Sequence, residues 1–365
     1  MFLFRSMVRW VAPASLCALT LSLTACGGGQ APSSGPSAAT SAPPAAGGAG
    51  LAIKGAGATA PYPLYQKWFD EFSKANGVQI GYESVGSGAG VKQFLAETVD
   101  FGATDSALKD DERAKFPAKR GKAIQVPTTG LFVVFAYNLD GVDNLKLSRD
   151  SFCGIVDGSI KTWNDAKIAK DNAGVNLPAD PITWVHRSDG SGTTSIFTKH
   201  IEKACPNWKA GSGKSVEWPT GTGAKGNEGV TAQIQQTKGA IGYTEFSYAK
   251  ENNLKMASLQ NKAGEFIAPT PDAAAKALTG VKIPEDFAVS VPDPEAKEAY
   301  PIVSLTWLLL YENYPDAAKV DALKNLMKWA MKDGKAVATD LGYIPLPDEV
   351  ATKVLTAVDG IKAGQ

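Results

Sequence analysis

From Leu51 onward, short apolar runs alternate with stretches whose apolar residues recur every three or four positions. Ala52-Ile53-Lys54 reads as a strand that leads into a glycine-rich turn. Pro61–Ala75 reads as a helix, with Leu64, Tyr65, Trp68, Phe69 and Phe72 on one face as core. Val78–Val85 alternates as a strand does, and Val91–Glu97 predicts the next helix. Gly130–Asn138 is a continuous apolar run of strand length, the pattern of a sheet covered on both faces. Thr183–Val185 is a strand followed by a helix over Thr194–Lys203. The helix Gly229–Gln236 precedes a strand over Gly239–Tyr243. Ile302–Tyr311 is a late strand, and Ala317–Lys332 a long amphipathic helix. Strands alternating with helices predict an α/β fold built from parallel units. No internal repeat is present.

The first 50 residues follow a different logic. Arg5 and Arg9 precede a mostly apolar stretch, Val11–Thr24, which ends in Leu23-Thr24-Ala25-Cys26. A charged start, a short apolar core and small residues before a cut make a secretory signal over residues 1–25. The run falls short of the roughly 20 apolar residues that a membrane-spanning helix requires. The Leu-Thr-Ala-Cys ending resembles the lipobox of bacterial lipoproteins, which implies that Cys26 carries a lipid. Residues 27–50 are almost wholly Gly, Ala, Ser and Pro and carry no charge. Such a stretch buries too little apolar surface to order itself, so residues 26–50 are expected to be an anchored, flexible tether. Its coil dimension is about 25–30 Å.

Charge then narrows the function. With Arg5 and Arg9 removed, 35 basic residues face 37 acidic ones. A chain this neutral has no electrostatic footprint for nucleic acid and no basic field to draw anions from afar. Any anion must be held by local geometry. Cys17 leaves with the signal and Cys26 takes the lipid, so Cys153 and Cys205 remain as an even pair in an oxidising compartment. They are either bridged or two buried thiols. The two histidines, His186 and His200, and the lack of any CxxC spacing speak against a metal site, and no cofactor is implied.

One local pattern occurs three times where a strand hands over to a helix. The first copy is Gly55-Ala56-Gly57-Ala58-Thr59-Ala60-Pro61, with the proline suited to a first helical position. The second is Gly86-Ser87-Gly88-Ala89-Gly90, and the third Arg187-Ser188-Asp189-Gly190-Ser191-Gly192-Thr193-Thr194. Each sets small residues and a hydroxyl at a helix start, where amides lack partners and the dipole is positive. One such start is an ordinary cap; three in one chain point to an oxyanion.

Arg187 is the charge-matched donor of these turns, and its planar fork suits a tetrahedral oxyanion. Asp189 and Asp105 look out of place beside an anion. A carboxylate, however, accepts a hydrogen bond from a protonated ligand oxygen and repels a fully ionised one. Phosphate keeps a proton near neutral pH and sulfate keeps none, so one placed carboxylate discriminates between them.

The stretches Gly55–Thr59, Val91–Asp105, Arg187–Thr193, Gly223–Val230 and Gly239–Tyr243, in this order and spacing, make the chain resemble the periplasmic phosphate-binding proteins of the high-affinity phosphate ABC transporter. The likeness runs from about Leu51 to Asp348. It implies a two-lobed (type II-like) binding-protein fold with a hinged cleft, lobe one being 51–126 plus 300–365 and lobe two 127–299. It also implies phosphate held by Thr59, Ala60, Ser87, Asp105, Arg187, Asp189, Ser191, Gly192 and Thr193. Asp105 would read the phosphate proton, and Asp189 would pair with Arg187. Ala60 departs from the phenylalanine often found there, a position used through its amide. The partners implied are phosphate and a membrane permease with its cytoplasmic ATPase. A lipid-anchored, monomeric periplasmic or cell-surface receptor follows, with no enzymatic activity.

Other readings fare worse. Gly211-Ser212-Gly213-Lys214-Ser215 hints at a nucleotide loop, but Trp208 stands where that loop needs glycine. Ser87 and Ser191 lack the G-x-S-x-G setting and a clear base, which argues against a phosphatase. His186 and Trp163 are expected to pack, at a strand end and a turn. Sulfate and molybdate carry no proton at neutral pH; arsenate does, and stays open. A surface phosphate sensor or adhesin also stays open.

Overall fold

The computed structural model describes residues 50–364; the signal, Cys26 and nearly all of the tether lie outside them. The main sheet uses β1 (Ala52–Gly57), β2 (Gln79–Ser84), β3 (Phe101–Thr104), β4 (Ala123–Tyr137), β5 (Thr183–Arg187), β6 (Thr222–Ala224), β7 (Ala240–Glu245) and β8 (Val303–Tyr311). Their order across the sheet is β2-β1-β3-β8-β4-β7-β5-β6. Two parallel trios, β2-β1-β3 and β7-β5-β6, stand at the ends. Between them run β8 and β4, antiparallel to each other and to their outer neighbours. The result is a mixed α/β, two-lobed binding-protein fold.

The strand β4 departs from expectation. Its continuous apolar run marks burial on both faces correctly, and thirteen of its residues are buried, but the strand is antiparallel on both edges. An apolar run reports coverage, not direction. β4 begins at Ala123, and Ala123–Phe132 pairs with β8 while Val133–Tyr137 pairs with β7. One strand therefore belongs to both halves of the sheet.

The helices are α1 (Tyr62–Asn76), α2 (Ser87–Leu95), α3 (Gly192–Ala204), α4 (Gly226–Gln236), α5 (Phe246–Glu251) and α6 (Ala317–Lys332), with shorter ones between. The aromatic face of α1 is buried as its spacing predicts, and Gly77 ends the helix at φ 65°. Pro61 is the N-cap rather than the first helical residue. α2, α3 and α4 each start earlier than their apolar periodicity predicts. In α2 the Ser-Gly-Ala-Gly segment is itself the first turn. Gly90 is needed there because a Cβ would sit 2.3 Å from the Gly57 Cα, so only glycine lets α2 lie directly on β1. Trp163 is fully buried and donates to the Gly239 carbonyl at 3.1 Å, while His186 stacks on Trp218 at 4.8 Å. Cys153 and Cys205 are bonded, tying the helix Arg149–Asp157 to the end of α3. Among the described residues no helix is long and apolar enough to cross a membrane.

Candidate functional site

The turns after β1, after β2 and after β5 meet at one place. Each is carried to the carboxyl end of a parallel strand, where a helix begins, and the small residues let the three backbones touch. The Gly88 amide donates to the Gly190 carbonyl at 2.8 Å, joining the second turn to the third. Arg187 Nη1 donates to Thr59 Oγ1 at 3.1 Å, joining the third to the first. A Cβ on Gly192 would lie 2.4 Å from Ser87 Oγ and 2.6 Å from the Asp105 Cβ, so Gly192 presses against both. Lys214, whose carbonyl accepts from the Ser191 amide, adds an ion pair to Glu112 at 2.6 Å.

All nine residues expected from the sequence lie in this cluster or directly on it. Thr59, Ala60, Ser87, Asp105, Arg187, Ser191 and Thr193 are buried. Ser191 caps α3 by accepting from the Thr194 amide at 3.0 Å. Among the described residues, the amides of Ala60, Gly192 and Thr193 reach no backbone carbonyl. Free amides at and just before helix starts, in a buried, dipole-positive setting, form an anion cradle.

Charge in the cluster is arranged in pairs. Arg187 donates from Nε and Nη2 to the two oxygens of Asp189, at 2.7 and 2.6 Å, a bidentate fork. Burial alone would push the Asp189 carboxyl up, but the Arg187 hydrogen bonds and charge outweigh it and hold the carboxyl below its usual range. The Gly226 amide adds a third bond at 3.1 Å. The fork leaves Arg187 Nη1 turned toward Thr59 and Thr193.

Asp105 is set differently. Thr306 donates to its Oδ1 at 2.8 Å, and its Oδ2 has no partner among the described residues. Burial pushes the carboxyl up to about 6, against the Thr306 hydrogen bond and the Arg187 charge. A buried carboxylate with one oxygen unused is an acceptor waiting for a donor.

Some contributors escaped the sequence reading. Asn227, at the start of α4, is fully buried and binds Thr59 Oγ1 through its amide at 3.1 Å and its side chain at 2.7 Å. It also donates to Thr193 Oγ1 at 3.0 Å. Thr306 lies inside the mostly apolar strand β8, where its hydroxyl stands out only once Asp105 is seen beside it. Tyr243 holds the Arg187 amide at 3.1 Å, and Tyr248 and Tyr343 bind the carbonyls of Thr59 and Ala60 at 2.7 Å each.

A buried cradle of helix-start amides between two sheet halves is the architecture of a solute-binding protein. The family described as a PBP superfamily domain matches residues 32–333. A phosphate-binding protein, PstS, from Pasteurella multocida is 42% identical over 311 residues, spanning 83% of this chain and 88% of that one. The PstS phosphate-binding protein of Methanocaldococcus jannaschii is 38% identical over 336 residues, spanning 85% and 86%. In fold, the chain is similar to a high-affinity periplasmic phosphate-binding protein, PfluDING, solved with phosphate bound. That likeness has a TM-score of 0.73 at 24% identity and spans 84% of this chain and 93% of that one. The chain belongs to the phosphate-binding solute-binding proteins of ABC transporters. The named relatives are binding proteins rather than enzymes.

Proposed function

We propose that this chain is the extracytoplasmic receptor that binds inorganic phosphate and delivers it to an ABC import permease. The observation that carries the reading is the pairing of two oppositely prepared carboxyls in one anion cradle. Asp189 is saturated by Arg187 and the Gly226 amide, so it moderates the cation without meeting the ligand. Asp105 keeps one oxygen free, so it can accept only from a ligand that brings a proton. Phosphate does; sulfate would set a bare oxygen against a carboxylate, with nothing to relieve the repulsion. The free amides of Ala60, Gly192 and Thr193 and the Ser87 hydroxyl are the donors for the remaining oxygens. Arsenate, which also keeps a proton, is the expected competitor.

The lobes in this proposal are residues 51–126 plus 300–365 and residues 127–299, closing over the ion. Support comes from the contacts between them, Gly88 to Gly190 and Thr59 to Arg187 and Asn227. Cys26 would hold the receptor to a membrane through its lipid, with residues 27–50 as tether. The relatives' names, phosphate-binding proteins, fit phosphate as the ligand. Calorimetric titration of the purified chain at pH 7 tests the ligand: tight 1:1 binding of phosphate with no measurable sulfate binding is expected, and equal affinities would sink the reading. For the anchor, Cys26→Ala in the host should shift the protein from the membrane fraction to the soluble one.

A further inference from the structure

Behind the anion cradle lies a second buried carboxyl that the reading above does not use. Glu245 ends β7 and is fully buried. Its Oε2 accepts from the Ser247 amide at 2.9 Å and lies against the Ser247 hydroxyl, with the Tyr343 hydroxyl, whose proton goes to the Ala60 carbonyl, 3.4 Å away. Its Oε1 has no partner among the described residues. The Ser247 and Tyr343 hydroxyls meet at 2.9 Å, and Tyr343 Oη lies 2.7 Å from the Ala60 carbonyl it donates to. The chain of contacts thus runs from Glu245 through Tyr343 to the peptide whose neighbouring amide is offered to the anion. Three distant segments meet in it: the end of β7 with α5, the loop at Tyr343, and the turn after β1.

We propose that Glu245 is a positioning residue for the anion site: as a neutral acid it braces Ser247 and Tyr343, and Tyr343 fixes the Ala60 carbonyl, which holds Ala60 so that its amide, in the preceding peptide, faces the ligand. The proposal rests on the phosphate reading and adds to it a residue that never touches phosphate. Neutrality is what the surroundings favour. Burial pushes the Glu245 carboxyl up to about 8, against the Ser247 hydrogen bonds, and the Asp105 charge pushes the same way. The titratable groups facing Glu245 are Asp105 from the loop after β3, Tyr343 from the C-terminal segment and Tyr248 from α5. Burial raises both tyrosines well above their ordinary value, so they stay neutral hydroxyls throughout the range in question. Above about pH 8 Glu245 ionises, which puts a second buried negative charge beside Asp105 and the bound anion. A dianion in the cradle resists that ionisation, and each pKa unit by which it does so is a tenfold fall in affinity at high pH.

Phosphate titrations at pH 7 and pH 9.5, for wild type and Glu245→Gln, read this directly, since the change in phosphate's own protonation over that interval is common to both proteins and cancels between them. The wild type should lose at least about tenfold in affinity over that interval, and the glutamine variant should lose much less. Equal losses overturn the proposal. Tyr343→Phe, which keeps Glu245 but frees the Ala60 carbonyl, should bind phosphate about tenfold more weakly at pH 7, the factor set by one unmade hydrogen bond. Unchanged affinity there also overturns it, and this variant carries the test should Glu245→Gln not fold. A third reading needs no phosphate. A carboxyl raised by folding stabilises the protein at low pH and loses that contribution as pH rises toward about 8, so the melting temperature of ligand-free wild type should fall from pH 5 to 8 more than that of Glu245→Gln. If that difference appears but wild type binds no phosphate, the fault lies with the ligand and not with the ionisation of Glu245. Parallel melting curves mean that Glu245 is not the neutral acid the brace requires.

Discussion

Gly192 is the position where one methyl group should do the most damage. The ideal Cβ of an alanine there falls 2.4 Å from Ser87 Oγ and 2.6 Å from both Asp105 Cβ and Oδ2, whereas ordinary contact begins near 3.4 Å. Neither neighbour can yield, because both are buried and belong to the first half of the sheet while Gly192 opens α3 in the second. The closed site would have to part by about 1 Å. The bonds Gly88 to Gly190 (2.8 Å), Arg187 to Thr59 (3.1 Å) and Asn227 to Thr59 (2.7 Å) then stretch beyond useful length. Three such bonds at about 1 kcal/mol each come to about 3 kcal/mol, or about 100-fold in phosphate affinity. Calorimetry on Gly192→Ala measures the loss, and thermal melting of the ligand-free variant checks that the hydrophobic core was not disturbed. Affinity within threefold of wild type would show that the three turns need not close to this distance to hold the ion, and the site as built here would be wrong.

Asp105→Asn replaces the free Oδ2 by a group able to donate, so phosphate should bind about 10- to 100-fold more weakly and sulfate measurably better. An unchanged phosphate-to-sulfate ratio would remove Asp105 from its role. Because burial lifts this carboxyl to about 6, wild-type phosphate affinity should fall as pH drops below that value, where Asp105 takes a proton and can no longer accept one from the ligand. The same lifted carboxyl favours the fold at low pH and loses that effect as pH rises from about 4 to 6, so Asp105→Asn should flatten ligand-free stability across that window. Replacing Cys153 and Cys205 by serine opens a loop with a sequence separation of 52 and should cost about 4 kcal/mol by loop entropy, read by denaturant unfolding. A change under about 1 kcal/mol would mean that the unfolded chain gains little freedom when the bridge is absent.

The site was more legible in the sequence than the sheet. Thr59, Ser87, Ser191 and their glycines follow from a local rule, since small residues and a hydroxyl at a helix start announce free amides wherever they occur. Convergence of the three turns cannot be read locally, and only the resemblance to a family brought them together beforehand. Asn227 was invisible for a related reason: an asparagine after glycine is an ordinary helix start, and its partners Thr59 and Thr193 lie far away in the chain. Glu245 and Tyr343 are separated by 98 positions and carry no shared motif. For β4 the obstacle was different. Burial on both faces erases the alternation that separates one sheet arrangement from another, and direction depends on partners that arrive 100 or more residues later. The early starts of α2, α3 and α4 have one cause: glycine and polar first turns carry no apolar periodicity, so the pattern begins after the helix does.

The position of β8 between β3 and β4 imposes an order of assembly. Neither edge of that gap is complete until Val303–Tyr311 has been synthesised, so most of the polypeptide must exist before its first parallel trio can join its second. Late joining of this kind keeps nascent material loose for longer, because distant segments have to meet before their contacts stabilise anything. For the exported receptor proposed above, that delay would let the chain be threaded through a narrow pore before the molecule has sealed itself.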